Sequence, residues 1–296
     1  MSPDLHPFSP FYGEPRPAEP LWKIGEFQIV RCRDSGLVYL ANPLSAEALT
    51  EFYSNAYFEG ESSRKGYASY SADEFILRKN FASLLRHVCT DARQCGLDPR
   101  SLTLLDQGCA HGFFLDEARH QFASVTGTEI NPEVAAIGRE RFGLEVHAGE
   151  SAIESIANAS RSVVTMWDVI EHLREPRAVL QQCHRVLEPG GLIHITTGDI
   201  DSVLARVLGR RWRLINPPQH ISYFSIRTLK SLLRDLGFEI LHAKRCGKHV
   251  SLQFMAFIAS YLLGRRRSAT LPPWLARRSL YINLRDVMLI CARKPN

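Results

Sequence analysis

The 296-residue chain is 45% hydrophobic and 23% charged, the balance of a soluble globular protein, and is long enough for a single domain of about 200 residues with extensions. Its formal net charge of +5 is too mild and too spread to argue for a nucleic-acid partner. Seven scattered cysteines without a charged, apolar, small-residue leader predict a cytoplasmic protein with no disulfide framework, and the longest apolar run, 254–263, is far short of the roughly 20 residues of a spanning helix.

In chain order, residues 1–20 are rich in proline and predict a disordered N-terminus. Residues 27–43 read as a hairpin around Cys32, Ser35 and Gly36. Helical apolar spacing follows at 45–58 (Leu49, Phe52, Tyr53) and 75–88 (Phe75, Leu77, Phe81, Leu84, Leu85, Val88), which completes an N-terminal unit over 21–100. From 101 to 197 short apolar runs at 102–105, 123–127, 144–147, 163–166 and 192–197 alternate with helical segments. That alternation predicts an α/β fold with a doubly wound, mostly parallel sheet. A helix at 177–187 ends at Pro189-Gly190-Gly191. Another at 226–236, stopped by Gly237, leads into a sixth strand at 238–242. A seventh follows at 286–292, with the late strands antiparallel. The stretches 201–224 and 246–283 are not needed to close the sheet, so within a catalytic unit of 101–296 they predict a substrate cap over the crevice past the strand ends.

The chemistry concentrates where the first of these strands ends, at Leu104-Leu105-Asp106-Gln107-Gly108-Cys109-Ala110-His111-Gly112-Phe113. An apolar run ends in an acid and a small-residue loop and re-emerges as a helical pattern, the layout in which backbone approaches a ligand closely. A dinucleotide loop would need its third small residue at Phe113, where none stands. Glu129 closes the next strand about 20 residues on, placed to accept hydrogen bonds from two ribose hydroxyls, unless it is merely an exposed carboxylate beside the helix opening at Pro132.

Asp106-x-Gly108-x-Ala110-x-Gly112, Glu129, Gly149-Glu150-Ser151, the 163–173 stretch and Leu187-Glu188-Pro189-Gly190-Gly191, in this order, resemble the motifs of the class I S-adenosylmethionine (SAM)-dependent methyltransferases. The resemblance implies a seven-stranded Rossmann-like sheet and SAM as cofactor. It implies cofactor contacts from Asp106, Gly108, Cys109, Ala110, Gly112, Phe113, Glu129, Ile130, Glu150, Ser151 and Trp167, and from Tyr67 and Tyr70 in a segment that folds over the cofactor or packs between helices. Ala110 replaces the family's middle glycine, which is tolerable if its φ is negative. The hairpin at 27–43 resembles half of a zinc ribbon that precedes many such enzymes. Here the second cysteine is Ser35, and Cys32 alone cannot supply four ligands, so no zinc is expected.

Asp168, Glu171 and His172 stand at i, i+3 and i+4 and would share one face of a helix. The pattern resembles the Mg²⁺-assisted quinone and catechol-type O-methyltransferases and small-RNA 2′-O-methyltransferases; it also fits a capping box with Asp168 at the N-cap. The catalytic group expected is His172, His220, Glu171 and Asp168, with no bound metal favoured. His220 lies in a Trp212…Pro-Pro-Gln-His220…Phe224-Ser225 run that resembles the family's signature over the acceptor pocket. Trp212 is expected to pack the cap and Ser225 to cap the helix after it. The resemblance thus points to methylation of a small-molecule acceptor, most plausibly at an oxygen of a sugar, lipid-linked glycan, quinone or natural product. The alternatives are SAM binding without transfer and RNA 2′-O-methylation. Apolar residues and arginines over 250–278 raise peripheral contact with an anionic membrane as an expectation, against packing on the sheet.

Overall fold

The computed structural model describes residues 5–45, 48, 74–256, 271–276 and 278–296. Most of the helix expected at 45–58, both tyrosines Tyr67 and Tyr70, and Arg265, Arg266 and Arg267 lie outside the described residues.

The N-terminal part opens with short strands β1 (Phe8–Ser9) and β2 (Glu14–Pro15), then β3 (Ala18–Ile24), β4 (Phe27–Cys32) and β5 (Val38–Leu40). The expected disorder of residues 1–20 is therefore not found from Leu5 onward. Burial of Phe11 and Ala18 against Val30, Cys32 and Tyr39 supplies the apolar contact that proline content alone does not reveal. Cys32 is buried in that apolar cluster.

Helix α1 (Glu74–Gln94) then leads to β6 (Thr103–Gln107), α2 (Phe113–Ala118), β7 (Ser124–Glu129), α3 (Pro132–Phe142), β8 (Glu145–Ala148) and β9 (Arg161–Trp167). Next come α4 (Pro176–Val186), β10 (Leu187–Gly198), α5 (Val203–Leu208), β11 (Ser222–Tyr223), α6 (Ile226–Asp235), β12 (Glu239–Ser251), α7 (Pro273–Ala276) and β13 (Ser279–Arg293). Local chemistry sets the helix starts. Asn131 Oδ1 accepts from the amides of Glu133 and Val134 with Pro132 in the first turn, and Ser225 and Thr228 form a reciprocal capping box on α6.

Seven strands form one sheet in the order β12-β13-β10-β9-β6-β7-β8. The doubly wound α/β sheet is thus present, parallel except for β13, which runs against both of its neighbours. Successive residues of each central strand enter opposite cores. Leu105, Val164 and Ile193 face α4 and α6, while Leu104, Val163 and Leu192 face α1 and α2. A sheet covered on both sides reads as continuous apolar runs, which is why its strands were visible in the sequence.

Two expectations are revised. The stretch 246–283 is not wholly an insertion, because β12 and β13 stay paired out to Ser251 and Ser279 as a ribbon projecting beyond the sheet. The stretch 201–224 does not form a cap by itself. Its β11 adds to β5, β4 and β3 as a four-stranded sheet, and Trp212, Ile215 and Tyr223 share a core with Ile29, Val38 and Leu40. The N-terminal extension and the expected cap are one packed unit.

Candidate active site

The crevice is built at the carboxyl ends of β6, β7 and β9. Asp106, at the end of β6, is buried and accepts from Thr165 Oγ1 at 2.6 Å; burial first, and then the charge of Glu129, pushes its carboxyl up to about 7. The loop after it turns through left-handed backbone at Gly108 (φ 78°), Ala110 (φ 46°) and Gly112 (φ 80°). The negative φ on which an unstrained Ala110 depends is not found. An L-residue held there costs about 1–2 kcal/mol, a strain that clusters at ligand-holding loops. Side chains are excluded on the glycines for a second reason: a Cβ at Gly108 would meet Val169 Cγ2 at 2.7 Å, and one at Gly112 would meet Leu144 Cδ1 at 2.6 Å.

Glu129 locks this loop. Its Oε2 accepts from the Ala110 amide and its Oε1 from the Asn131 amide, both at 3.0 Å. Burial raises its carboxyl above the ordinary value despite these donors. Each carboxylate oxygen has a second lone pair, so the residue can also receive the two ribose hydroxyls it was expected to bind. Ile130, Glu150 and Ser151 are exposed along the same strand ends, and Trp167 closes β9 with its indole edge-on to Phe114 at 5.2 Å and its N–H without a partner. Two of the expected cofactor side chains belong to packing instead. Phe113 is buried edge-on to Phe142 with the Arg78 guanidinium 5.3 Å from its ring centre, and Cys109 fills the space over Gly127. The amides of Gly108 and Cys109 both donate to the Thr128 carbonyl at 2.9 Å.

The acid-x-x-Glu-His segment departs from expectation. Asp168 adopts φ 54°, and Ile170–His172 is a single 3₁₀ turn whose N-cap is Val169 with no side-chain bond, so neither the α-helical face nor the capping box exists. Asp168 accepts from Thr196 Oγ1 at 3.0 Å and pairs with Lys248 from β12. Against the desolvation of burial, that ammonium holds the Asp168 carboxyl below its ordinary range. Glu171 is buried; desolvation, with the Asp168 charge added, pushes its carboxyl up to about 8, and its Oε2 has no hydrogen-bond partner.

His172 and His220 meet edge to face, ring centres 4.7 Å apart. His220 arrives from the cap on a loop containing the cis Pro217–Pro218 bond. His172 Nδ1 lies 2.9 Å from the Gln219 carbonyl and His220 Nδ1 lies 2.8 Å from the Leu214 carbonyl. A carbonyl can only accept, so both rings carry their proton on Nδ1 and present an Nε2 lone pair. Burial keeps both imidazoles neutral, His220 being lowered to about 3 by desolvation and then by His172. Ligand atoms of Glu171, His172 and His220 lie within 4.8 Å of one another. Such a set could hold a transition-metal ion; Mg²⁺ prefers an all-oxygen shell, and the further acid, Asp168, is taken by Lys248. These donors do not fit Mg²⁺. Trp212 is buried in the cap and donates to Asp286 Oδ2 at 3.0 Å, as its packing role anticipated. Sequence reasoning missed Lys248 and Thr196, which reach Asp168 only through strand pairing.

A methyltransferase-domain family model matches residues 78–243, more than half of the chain. A ubiquinone biosynthesis O-methyltransferase of Pseudomonas paraeruginosa is 31% identical over 150 residues, 47% of this chain and 65% of that protein. Its counterpart from Cronobacter sakazakii is 29% identical over 39% of this chain and 51% of that protein. The chain thus spans about half to two thirds of the length of these relatives. Among solved structures, the magnesium protoporphyrin IX methyltransferase of Synechocystis PCC 6803, with bound SAH, superposes with a TM-score of 0.54 at 11% identity, over 84% of this chain and 100% of that one. The chain belongs to the methyltransferase-domain family, and its sheet has the fold of the class I SAM-dependent methyltransferases.

Proposed function

We propose that the protein transfers a methyl group from SAM to a hydroxyl oxygen of a small-molecule acceptor. The observation that carries this reading is the pair of neutral imidazoles, each with Nε2 set as an acceptor by a backbone carbonyl: His172 on the turn that meets the Gly108 loop through Val169, and His220 on the cap loop facing it. SAM, when bound, supplies a methyl already activated on a sulfonium. The residues have three remaining tasks. Glu129 and the Asp106–Gly112 loop hold the cofactor at the strand ends. The β9 exit turn and the cap loop at 214–220 orient the acceptor and exclude water. An Nε2 lone pair takes the hydroxyl proton as the oxygen attacks. The relatives named O-methyltransferases support oxygen as the acceptor atom. Purified protein is expected to bind SAM in a calorimeter and to move label from tritiated SAM into a hydroxyl-bearing component of fractionated cell extract. Binding with no transfer to any fraction would favour a SAM-binding protein without transferase activity.

We also propose that the ribbon end of β12 and β13 contacts an anionic membrane surface. Trp274, Leu280, Tyr281 and Leu284 are exposed there, Trp274 by 70%, beside Arg278 and Arg285, and among the described residues no helix is long and apolar enough to cross a membrane. Each cation near the surface adds about 1 kcal/mol. Co-sedimentation with anionic vesicles is expected at low salt and should weaken by roughly 100-fold in the triple Arg265/Arg266/Arg267→Ala variant, the equivalent of about 3 kcal/mol. No binding at low salt would leave the segment as a substrate lid.

A further inference from the structure

A second cluster of ligand-type side chains lies within the sheet, outside the crevice. Strand register sets His194 of β10 opposite Cys291 of β13, and Cys291 opposite His242 of β12. Cross-strand partners project to the same face, so the three form a row across adjacent strands. Helix α1 covers that face, its Val88 and Ala92 sharing a core with Leu192 and Leu289, and lowers Asp91 onto the row. Asp91 Oδ2 lies 3.0 Å from His194 Nε2, and Asp91 Oδ1 lies 2.9 Å from His242 Nε2. Ligand atoms of Asp91, His242 and Cys291 are all within 4.8 Å of one another. Asp91, His194 and Cys291 are buried, while His242 is partly exposed at the sheet margin.

The row is only partly satisfied. One carboxylate, Asp91, is approached by His194, His242 and Cys291 together, while Nδ1 of His194 and Nδ1 of His242 are buried with no hydrogen-bond partner. A buried thiol, two imidazoles and a single carboxylate brought to one point are costly unless something joins them.

We propose that Asp91, His242 and Cys291 bind a zinc ion, with His194 orienting the Asp91 carboxylate from behind and solvent completing the tetrahedron at the exposed side of His242. Zinc bonds of 2.0–2.3 Å imply ligand–ligand separations of about 3.3–3.6 Å, so Asp91 and His242, now 2.9 Å apart, need to open by a few tenths of an ångström. Binding displaces the Cys291 thiol proton to solvent, and His242 ligates through Nε2 as its Nδ1–H tautomer. Thiolate and carboxylate together neutralise the dication. Lys244, the neighbouring cation on β12, is turned to His87, 3.0 Å from its Nδ1. Imidazole, thiolate and carboxylate together are the donor mixture that zinc accepts and Mg²⁺ does not. The ion would tie α1 to both late strands. The expectation of no zinc rested on Cys32; this site shares no residue with that hairpin.

The test is a cobalt titration of the full chain after chelator treatment. One equivalent is expected to give tetrahedral d–d bands and a thiolate-to-cobalt charge-transfer band that zinc abolishes by competition. Cys291→Ser should lose the charge-transfer band while keeping the native circular-dichroism spectrum. If that buried replacement does not fold, His242→Gln, at the partly exposed position, serves instead and should weaken cobalt binding at least 10-fold. His194→Ala should lower affinity about 10–100-fold with the band shape unchanged, as loss of an orienting group does. Glu171→Gln should leave the band intact, which separates this site from the crevice. Absence of the band in the wild-type chain, or its persistence in Cys291→Ser, overturns the proposal.

Discussion

His220→Ala is expected to lower kcat/KM by about 10²–10⁴-fold, the contribution of a positioned base, and Glu171→Gln, whose side chain lies against both imidazoles, is expected to lower it as well. The glutamine variant should do so while gaining stability at alkaline pH. The Glu171 carboxyl sits at about 8 in the folded chain, because burial and the Asp168 charge disfavour its ionised form. A folded value above the unfolded one means that the group's stabilising contribution is complete below the unfolded value, near 4.5, and is lost as pH rises through about 8. Each unit of displacement corresponds to about 1.4 kcal/mol, so the wild-type chain gives up a few kcal/mol across that window and the neutral amide does not. Denaturant unfolding at pH 5 and pH 8 measures the difference directly. A glutamine variant that loses stability at pH 8 along with activity would make Glu171 a structural group. Chelator treatment of the wild-type enzyme adds a separate readout. Activity retained supports the imidazoles acting alone, whereas loss that occurs equally in Cys291→Ser and is restored by a divalent cation moves the crevice cluster to a metal role.

Glu129→Ala is expected to weaken SAM binding by about 1.5–3 kcal/mol, roughly 10- to 150-fold, the range for hydrogen bonds to a charged group. The structure adds a second consequence. The same carboxylate accepts from the amides of Ala110 and Asn131, so its removal releases a loop already strained at Ala110 and leaves two part-buried donors unpaired. Glu129→Gln keeps an acceptor oxygen for one of these amides and should fall between the two proteins in both affinity and melting temperature. Calorimetry that finds unchanged affinity in the alanine variant would remove Glu129 from the cofactor site.

The parts of this site legible in the sequence are those made by neighbours along the chain. The Asp106–Gly112 loop, Glu129 two elements later and the alternation of apolar runs all arise from local rules: glycine at left-handed positions, an acid at a strand end, and buried strands that must be apolar on both faces. The helix cap at Ser225 was visible for the same reason. Reading Asp168, Glu171 and His172 as a helical face failed because spacing alone does not choose between an α-helix and a strained 3₁₀ turn. That choice follows from Thr196 and Lys248, which hold Asp168 from other strands.

The sequence by itself determined the sheet class, the Asp106–Gly112 loop and the two histidines, His172 and His220, that the fold brings together. Its local periodicities and loop chemistry are short-range, and short-range interactions are what a linear reading can see. Only the tertiary structure decided that the N-terminal strands and the expected cap are one unit, that Phe113 and Cys109 pack rather than line the crevice, and that Lys248 reaches Asp168. It likewise gathered Asp91, His194, His242 and Cys291, which are scattered over four elements, into one row. Strand register and helix docking create such contacts at no fixed sequence separation, and the buried thiol, imidazoles and carboxylate they bring together have no periodic pattern to betray them.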